Sequence, residues 1–343
     1  MAAKVINFLR QQCFSPANPK VSFSGKTIII TGANRGLGLE AALKIVALDA
    51  SRVVLGVRDC VEGERSKNTI EQLTGRKGVM EVWKLDLESY ESIQDFSHRA
   101  SCLDRLDIVV LNAGVLMYKH TESPYGWEES LQINVLSTAL LALLLLPVLK
   151  KTSQLSSENG QRPVLQFVSS GTYKHVVVAD EDRHADNLLG YYSSRARDFD
   201  GNKQYALSKL FITYVMQTLA SIERAGGEED MVHVLAVCPG VCKSGLMRNS
   251  VGWRMWMIKT VASMTIMRTA EQGSRTLVSG TSLGEEAHGK FWQHDQIQHP
   301  FITGRLGEEF RKKVWTDVVE ALGKDLQGLP EILDRAGALE AGF

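Results

Sequence analysis

Tyr205 and Lys209 stand four positions apart in the run Tyr205-Ala206-Leu207-Ser208-Lys209. On a helix, positions i and i+4 share a face, so an ammonium group lies beside a phenol. A free phenol titrates at about 10, and a nearby cation favours the phenolate and draws that value towards neutrality. A tyrosine tuned in this way can give or take a proton near neutral pH. A second pattern lies upstream, at Thr31-Gly32-Ala33-Asn34-Arg35-Gly36-Leu37-Gly38. It follows the apolar, β-branched run Lys26 to Ile30, which reads as a buried strand, and precedes the helical periodicity of Leu39 to Leu48. Strand, glycine turn and helix start form the context of a nucleotide site. Glycines admit a pyrophosphate close to the backbone, and the helix N-terminus offers unpaired N–H groups. The glycines stand at 32, 36 and 38, a spacing different from G-x-G-x-x-G.

The elements that must position these groups alternate along the chain. Strands are predicted at 26–31, 52–57, 79–85, 106–111, 163–169 and 231–237, and helices at 36–48, 61–73, 89–100, 127–150, 203–224 and 270–279. This alternation predicts an α/β fold: a single-domain, Rossmann-type, doubly wound parallel sheet with helices on both faces. Residues 1–24 read as an N-terminal extension and 25–343 as the domain. Within it lie a polar insertion at 173–202, a segment at 246–268 and a C-terminal extension at 300–343. The segment 246–268 is rich in methionine and tryptophan. It reads as a lid closing on a bulky apolar ligand, with plain core as the alternative.

These motifs together resemble the classical short-chain dehydrogenases/reductases. The family's Thr-Gly-x-x-x-Gly-x-Gly is matched by Thr31 to Gly38, its Asn-Ala-Gly by Asn112-Ala113-Gly114 and its helix asparagine by Asn134. Its serine is matched by Ser170, its Tyr-x-x-x-Lys by Tyr205 and Lys209, and its Pro-Gly by Pro239-Gly240, with Ser244 where a threonine is usual. Within the family the wording is most similar to fungal reductases of secondary metabolism and, more distantly, to retinol-dehydrogenase-like enzymes.

The resemblance implies roles. Tyr205 would donate the proton, Lys209 would lower its pKa and bond the nicotinamide ribose, Ser170 would hold the carbonyl oxygen, and Asn134 would hold a relay water. Ser169 competes for the serine role, although the family pattern selects the second of the pair. Tyr173, Tyr191 and Tyr192 are competing phenols, none with a lysine at i+4. The implied cofactor site comprises Thr31, Gly32, Asn34, Arg35, Gly36, Leu37, Gly38, Arg58, Asp86, Leu87, Asn112, Ala113, Gly114, Pro239, Gly240, Val241 and Ser244, with Tyr205 and Lys209. Family alignment places the position that would be acidic in an NAD site on Val57. No carboxylate there repels a ribose phosphate, and Arg35 and Arg58 can converge on it, so NADPH is the expected cofactor. Asp59 is a potential partner for Arg58.

The implied reaction is hydride transfer to the carbonyl of a lipophilic ketone or aldehyde, such as a polyketide-like compound. Alcohol oxidation is the same chemistry reversed. Two readings compete. A cofactor-binding scaffold or redox sensor would usually have lost a catalytic residue, and the set is complete here. An extended-type epimerase would carry Thr-Gly-x-x-Gly-x-x-Gly, which is missing.

Lys+Arg and Asp+Glu balance at 39 each, and no basic block is present, so nucleic-acid binding has no electrostatic basis. Five scattered cysteines suit free thiols in a reducing compartment. His288, His294 and His299 read as surface or pocket-rim residues, and no metal site is expected. Leu140 to Leu149 is apolar but short and interrupted by Pro147, so it reads as buried helix with no membrane span. No secretory signal is evident, and a cytoplasmic location is expected. Met1 to Phe14 has a short amphipathic pattern suited to packing on the domain, with contact to a membrane surface as the alternative. The family often places the helix carrying Asn134 in a subunit interface, so a homodimer through it is the expected partner arrangement.

Overall fold

A computed structural model describes residues 15–155, 162–176, 178, 185–194, 199–227, 231–243, 267–298 and 304–339. Strands β1 (Thr27–Thr31), β2 (Arg52–Val57), β3 (Met80–Lys84), β4 (Ile108–Leu111), β5 (Val164–Val168) and β6 (His233–Cys238) fall where the apolar runs predict them. Two short strands, β7 (Phe291–Gln293) and β8 (Gln296–Gln298), extend the sheet. The order is β3-β2-β1-β4-β5-β6-β7-β8, parallel throughout except for β8. Every residue of β1, β5 and β6 is buried, as expected of strands covered on both faces.

Helices α1 (Gly36–Ala47), α2 (Cys60–Thr74) and α7 (Ala270–Gly280) cover one face. The other is covered by α3 (Tyr90–Ser101), α4 (Glu129–Leu155) and α6 (Gly201–Ala225). The chain order reverses between β1 and β4, which opens a crevice at the carboxyl ends of the strands. Asp107 braces this switch from below. Its carboxylate accepts from the Thr27 backbone N–H at 2.8 Å and pairs with Lys26 and Arg105.

Four features depart from the sequence reading. The β7–β8 hairpin was not predicted; its strands have three residues each, and its turn is His294-Asp295, with φ of 55° and 54°, in place of the usual Asn-Gly. The 300–343 extension folds as helices α8 (Gly304–Asp325) and α9 (Leu329–Ala336). The insertion is not uniformly polar surface. It contains the short helix α5 (Leu188–Ser193), whose Leu188 and Leu189 are fully buried, and Asp317 of α8 accepts from the Leu188 N–H at 2.6 Å. His288 is neither surface nor rim: it is buried, with Nδ1 accepting from Val234 N–H and Nε2 against the Ala220 carbonyl.

α4 is long and apolar enough by composition to cross a membrane, yet 89% of its most apolar window is buried inside the fold. It packs against α3, α6 and, from the extension, α9. Lys150 on α4 pairs at 2.8 Å with the buried Glu223 of α6 and reaches the Ala336 carbonyl of α9. The C-terminal helix α9 thus packs on the helix through which a homodimer is expected. The Met1–Phe14 segment and His299 lie outside the described residues.

α8 is core, not appendage. Val314, Trp315 and Val318 are buried, and Phe310 stacks edge-on against Tyr214. Trp315→Ala should therefore destabilise the fold by about 3–5 kcal/mol, read as a lowered midpoint in urea unfolding. A midpoint unchanged from the parent would mean that the extension is dispensable.

Candidate active site

The crevice above the switch is a cleft of about 840 Å³. Its outer end is built by the turn between β1 and α1. Gly32 and Gly36 have φ of 65° and 55°, the left-handed region that favours glycine. Gly38 is excluded from change for another reason: a Cβ would stand 2.5 Å from the Gly32 carbonyl oxygen. Arg35 occupies the α1 N-cap without a side-chain cap, which leaves the first-turn N–H groups facing the cleft without that partner. A Cβ at Gly36 would meet nothing within 4 Å, so the turn is open to a ligand there. The glycine cradle and uncapped helix start fit a dinucleotide pyrophosphate.

Thr31 and Asn112 lock this turn to β4. Thr31 Oγ1 accepts from the N–H groups of Asn112 and Ala113, both at 2.9 Å, and Asn112 Nδ2 donates to the Thr31 carbonyl at 2.8 Å. Thr31 and Gly38 are buried supports, whereas Gly32, Asn34, Arg35, Gly36, Leu37, Asn112, Ala113 and Gly114 line the cleft.

Arg58, at the end of β2, also lines it, while Val57 is buried with its side chain against the start of α2. Of the two, Arg58 is the residue that faces the cleft. Asp59 does not pair with it but caps α2, accepting from Val61 and Glu62 N–H. Arg58 instead meets Glu88 at 2.9 Å, with both side chains well exposed. Asp86 and Leu87 form the adjoining wall.

The inner end holds Ser170, Tyr205 and Lys209. Ser169 is buried and bonded to Thr213 and the Lys209 carbonyl, so its hydroxyl is spent in the core. The competing phenols are elsewhere: Tyr173 and Tyr192 are buried outside the cleft wall, and Tyr191 is exposed. Lys209 Nζ is 5.7 Å from the centre of the Tyr205 ring and donates to the Val168 carbonyl at 2.9 Å.

The electrostatics differ from the sequence expectation. Burial pushes the Tyr205 phenol well above its usual range, the nearby Cys238 adds to this, and a hydrogen bond with Ser170 opposes it. The lysine does not reverse that balance. Burial instead depresses Lys209 to about 8. The phenol consequently keeps its proton at neutral pH, and the ammonium is still mostly charged.

Asn134 lies beneath the site. It sits in a π-helical stretch, Gln132–Ser137, that interrupts α4; such turns often mark functional positions. Its amide accepts from Val115 N–H at 2.8 Å and donates to the Val115 carbonyl and to Ser208 Oγ. A Cβ at Gly114 would meet its Oδ1 at 2.9 Å and Lys209 Nζ at 3.5 Å. Asn134 thus ties the Asn112–Gly114 wall to the helix bearing Lys209.

Pro239, Gly240 and Val241 close the remaining side. Ser244 and residues 246–266 of the expected lid lie outside the described residues. Arg268, the last residue of that segment, is buried. It bonds the Pro239 carbonyl, and its backbone bridges to Val241 and Lys243. The sequence reading missed Lys174, Cys238 and Gln293, which also line the inner end. Cys238 Sγ accepts from Gly171 and Gly240 N–H. No cluster suited to a metal ion occurs among the described residues.

The family profile described as short chain dehydrogenase matches residues 26–183. The short-chain dehydrogenase/reductase ffsI of Aspergillus flavipes is 39% identical over 326 residues, covering 94% of this chain and 93% of that protein. This chain belongs to the short-chain dehydrogenase/reductase family. The family member phmF of Phaeosphaeria nodorum is 37% identical, covering 92% of both chains. Among solved structures, the 3-ketoacyl-(acyl-carrier-protein) reductase of Brucella melitensis complexed with NADH has a TM-score of 0.56 at 20% identity, covering 79% of this chain and 97% of that one. A short-chain dehydrogenase of Shigella flexneri complexed with NADP has a TM-score of 0.54 at 21% identity, covering 81% of this chain and 100% of that one. These likenesses show the fold, and the two neighbours hold different nicotinamide cofactors.

Proposed function

We propose that this dehydrogenase/reductase uses NADPH to reduce the carbonyl of a lipophilic ketone or aldehyde, in the secondary metabolism of a fungus. The observation that carries the reading is one cleft with Arg35 and Arg58 at its outer end and Ser170, Tyr205 and Lys209 at its inner end. The cofactor, when bound, supplies the hydride. The chain must then orient the carbonyl, deliver a proton and stabilise the developing negative oxygen. Ser170 holds that oxygen by its hydroxyl. Tyr205, whose phenol loses hydration in the cleft and so keeps its proton at neutral pH, gives the proton. Lys209 places positive charge beside the phenol as it becomes phenolate, and Asn134 keeps wall and helix in register.

The Arg58–Glu88 pair bears on cofactor choice. An exposed ion pair is worth about 0–1 kcal/mol, so a ribose phosphate can displace Glu88 and gain charge-assisted bonds. NADPH should therefore bind more tightly than NADH, and Arg58→Ala should weaken NADPH selectively. Glu88→Gln, which removes the competing carboxylate, should strengthen NADPH. Calorimetric titration of the three proteins with both cofactors checks this, and equal affinities in the unaltered protein would sink the NADPH assignment.

A further inference from the structure

We propose that Lys174 recognises an anionic oxygen on the substrate, so that the compound reduced is a lipophilic carbonyl that also bears a carboxylate or an ionised enol or phenol. This rests on the reductase reading above and names the substrate class for the same site. Lys174 lies on the short 3₁₀ turn Gly171–His175, which begins directly after Ser170, and lines the inner end of the cleft.

Its surroundings are those of a cation held without a counter-charge. Nζ donates to Gln293 Oε1 at 3.2 Å and to Gln298 Oε1 at 2.5 Å, and it stands 5.4 Å from the centre of the Phe291 ring. Amide oxygens and a ring face orient an ammonium but do not neutralise it. No carboxylate among the described residues pairs with it. The nearby Cys238 thiol, raised by burial, is not an anion at neutral pH. Arg268 lies close by, bonded to His294, and His294 is held neutral because burial and both cations push it down to about 4. Asp295 acts on Arg268 and His294 rather than on Lys174, and it accepts from the Ala17 N–H. Lys174 is half-buried, and burial lowers its own pKa. A partly desolvated cation is unfavourable unless paired, and a ligand anion supplies the pair.

The hairpin that sequence reading missed constructs this subsite. Phe291 and Gln293 point to one side of β7, and Gln298 stands opposite Phe291 in the β8 register. All three contact Lys174, and the Gln293 amide also packs over Gly171, where a Cβ would meet it at 3.2 Å. Two of the three ammonium donors are used by the glutamines, which leaves one for a ligand.

The test uses the ortho, meta and para acetylbenzoates, each paired with its methyl ester, so that the distance between carbonyl and charge is scanned. Binding to the full chain with NADP⁺ is read by calorimetry, and turnover by NADPH absorbance. At least one acid should bind about tenfold or more tightly than its ester, as expected for a hydrogen bond to a charged group. Lys174→Gln should bring that ratio towards one, and Lys174→Arg should retain most of it. Acids that bind no better than their esters, or a preference that survives Lys174→Gln in a variant with parental melting temperature, would overturn the proposal. Ester turnover without acid preference refutes the proposal and leaves the reductase reading intact. Acid-selective binding without NADPH oxidation supports the subsite and refutes the reductase reading.

Discussion

Tyr205→Phe should reduce carbonyl turnover by about 10²–10⁴-fold while NADPH still binds. The substitution keeps the ring and its packing and removes the only phenol lining the cleft among the described residues. Its neighbours remain, so binding and orientation survive, and what is lost is the proton delivered in the transition state. Single-turnover NADPH oxidation with a screened ketone measures the loss, and cofactor titration on the same variant measures what is kept. Near-normal turnover would remove Tyr205 from the mechanism. Since Tyr173 and Tyr192 lie outside the cleft wall and Tyr191 is exposed, the proton would then have to come from another cleft group, such as Lys174, His175 or Lys209, or from water.

Lys209→Met should abolish most turnover, weaken cofactor binding, and at the same time stabilise the cofactor-free fold at pH 7. Burial lowers the lysine from 10.5 to about 8, so the folded state binds the proton less well than the unfolded chain. The cost of burying the charge is therefore present below about 8 and is relieved as pH rises towards 10.5. At 1.36 kcal/mol per unit the penalty is roughly 3 kcal/mol, less what the Val168 hydrogen bond returns. The variant should unfold at higher urea concentration than the parent at pH 7, and the gap should close near pH 10. For the same reason, the parent's affinity for cofactor should fall as pH rises through about 8. A variant less stable than the parent at pH 7 would show that the bond to Val168 outweighs the buried charge.

Much of this arrangement was legible because it depends on local rules. Apolar runs marked the strands β1 to β6, and the i, i+4 spacing placed Tyr205 and Lys209 on one face. The left-handed glycines of the first turn announced a ligand-facing backbone. What escaped depends on packing between distant segments. The strands of β7 and β8 are too short to carry a period, and their turn uses His294 and Asp295, which are not strong hairpin formers in sequence. Lys174 falls in the polar stretch 173–202, and only the hairpin brings Gln293 and Gln298 to it. The sign of the Tyr205 shift was misjudged because spacing reveals a neighbouring charge but not the loss of water around the phenol. Val57 and Arg58 differ by one position, and only the burial of Val57 shows which faces the cleft.

Lys243 N–H donates to the Arg268 carbonyl at 2.8 Å, and Arg268 N–H to that of Val241 at 2.9 Å. Chain departure and return are thereby stapled together at the mouth of the cleft, beside Pro239. The two ends that bound residues 244–267 are therefore held side by side by backbone bonds alone. A graft of different length from a relative would leave the register of the sheet untouched, because the ends to be joined are already adjacent and only slowly growing loop-closure entropy changes. Length changes between Lys243 and Arg268 can therefore accumulate without displacing Pro239 and Gly240 from the cleft wall.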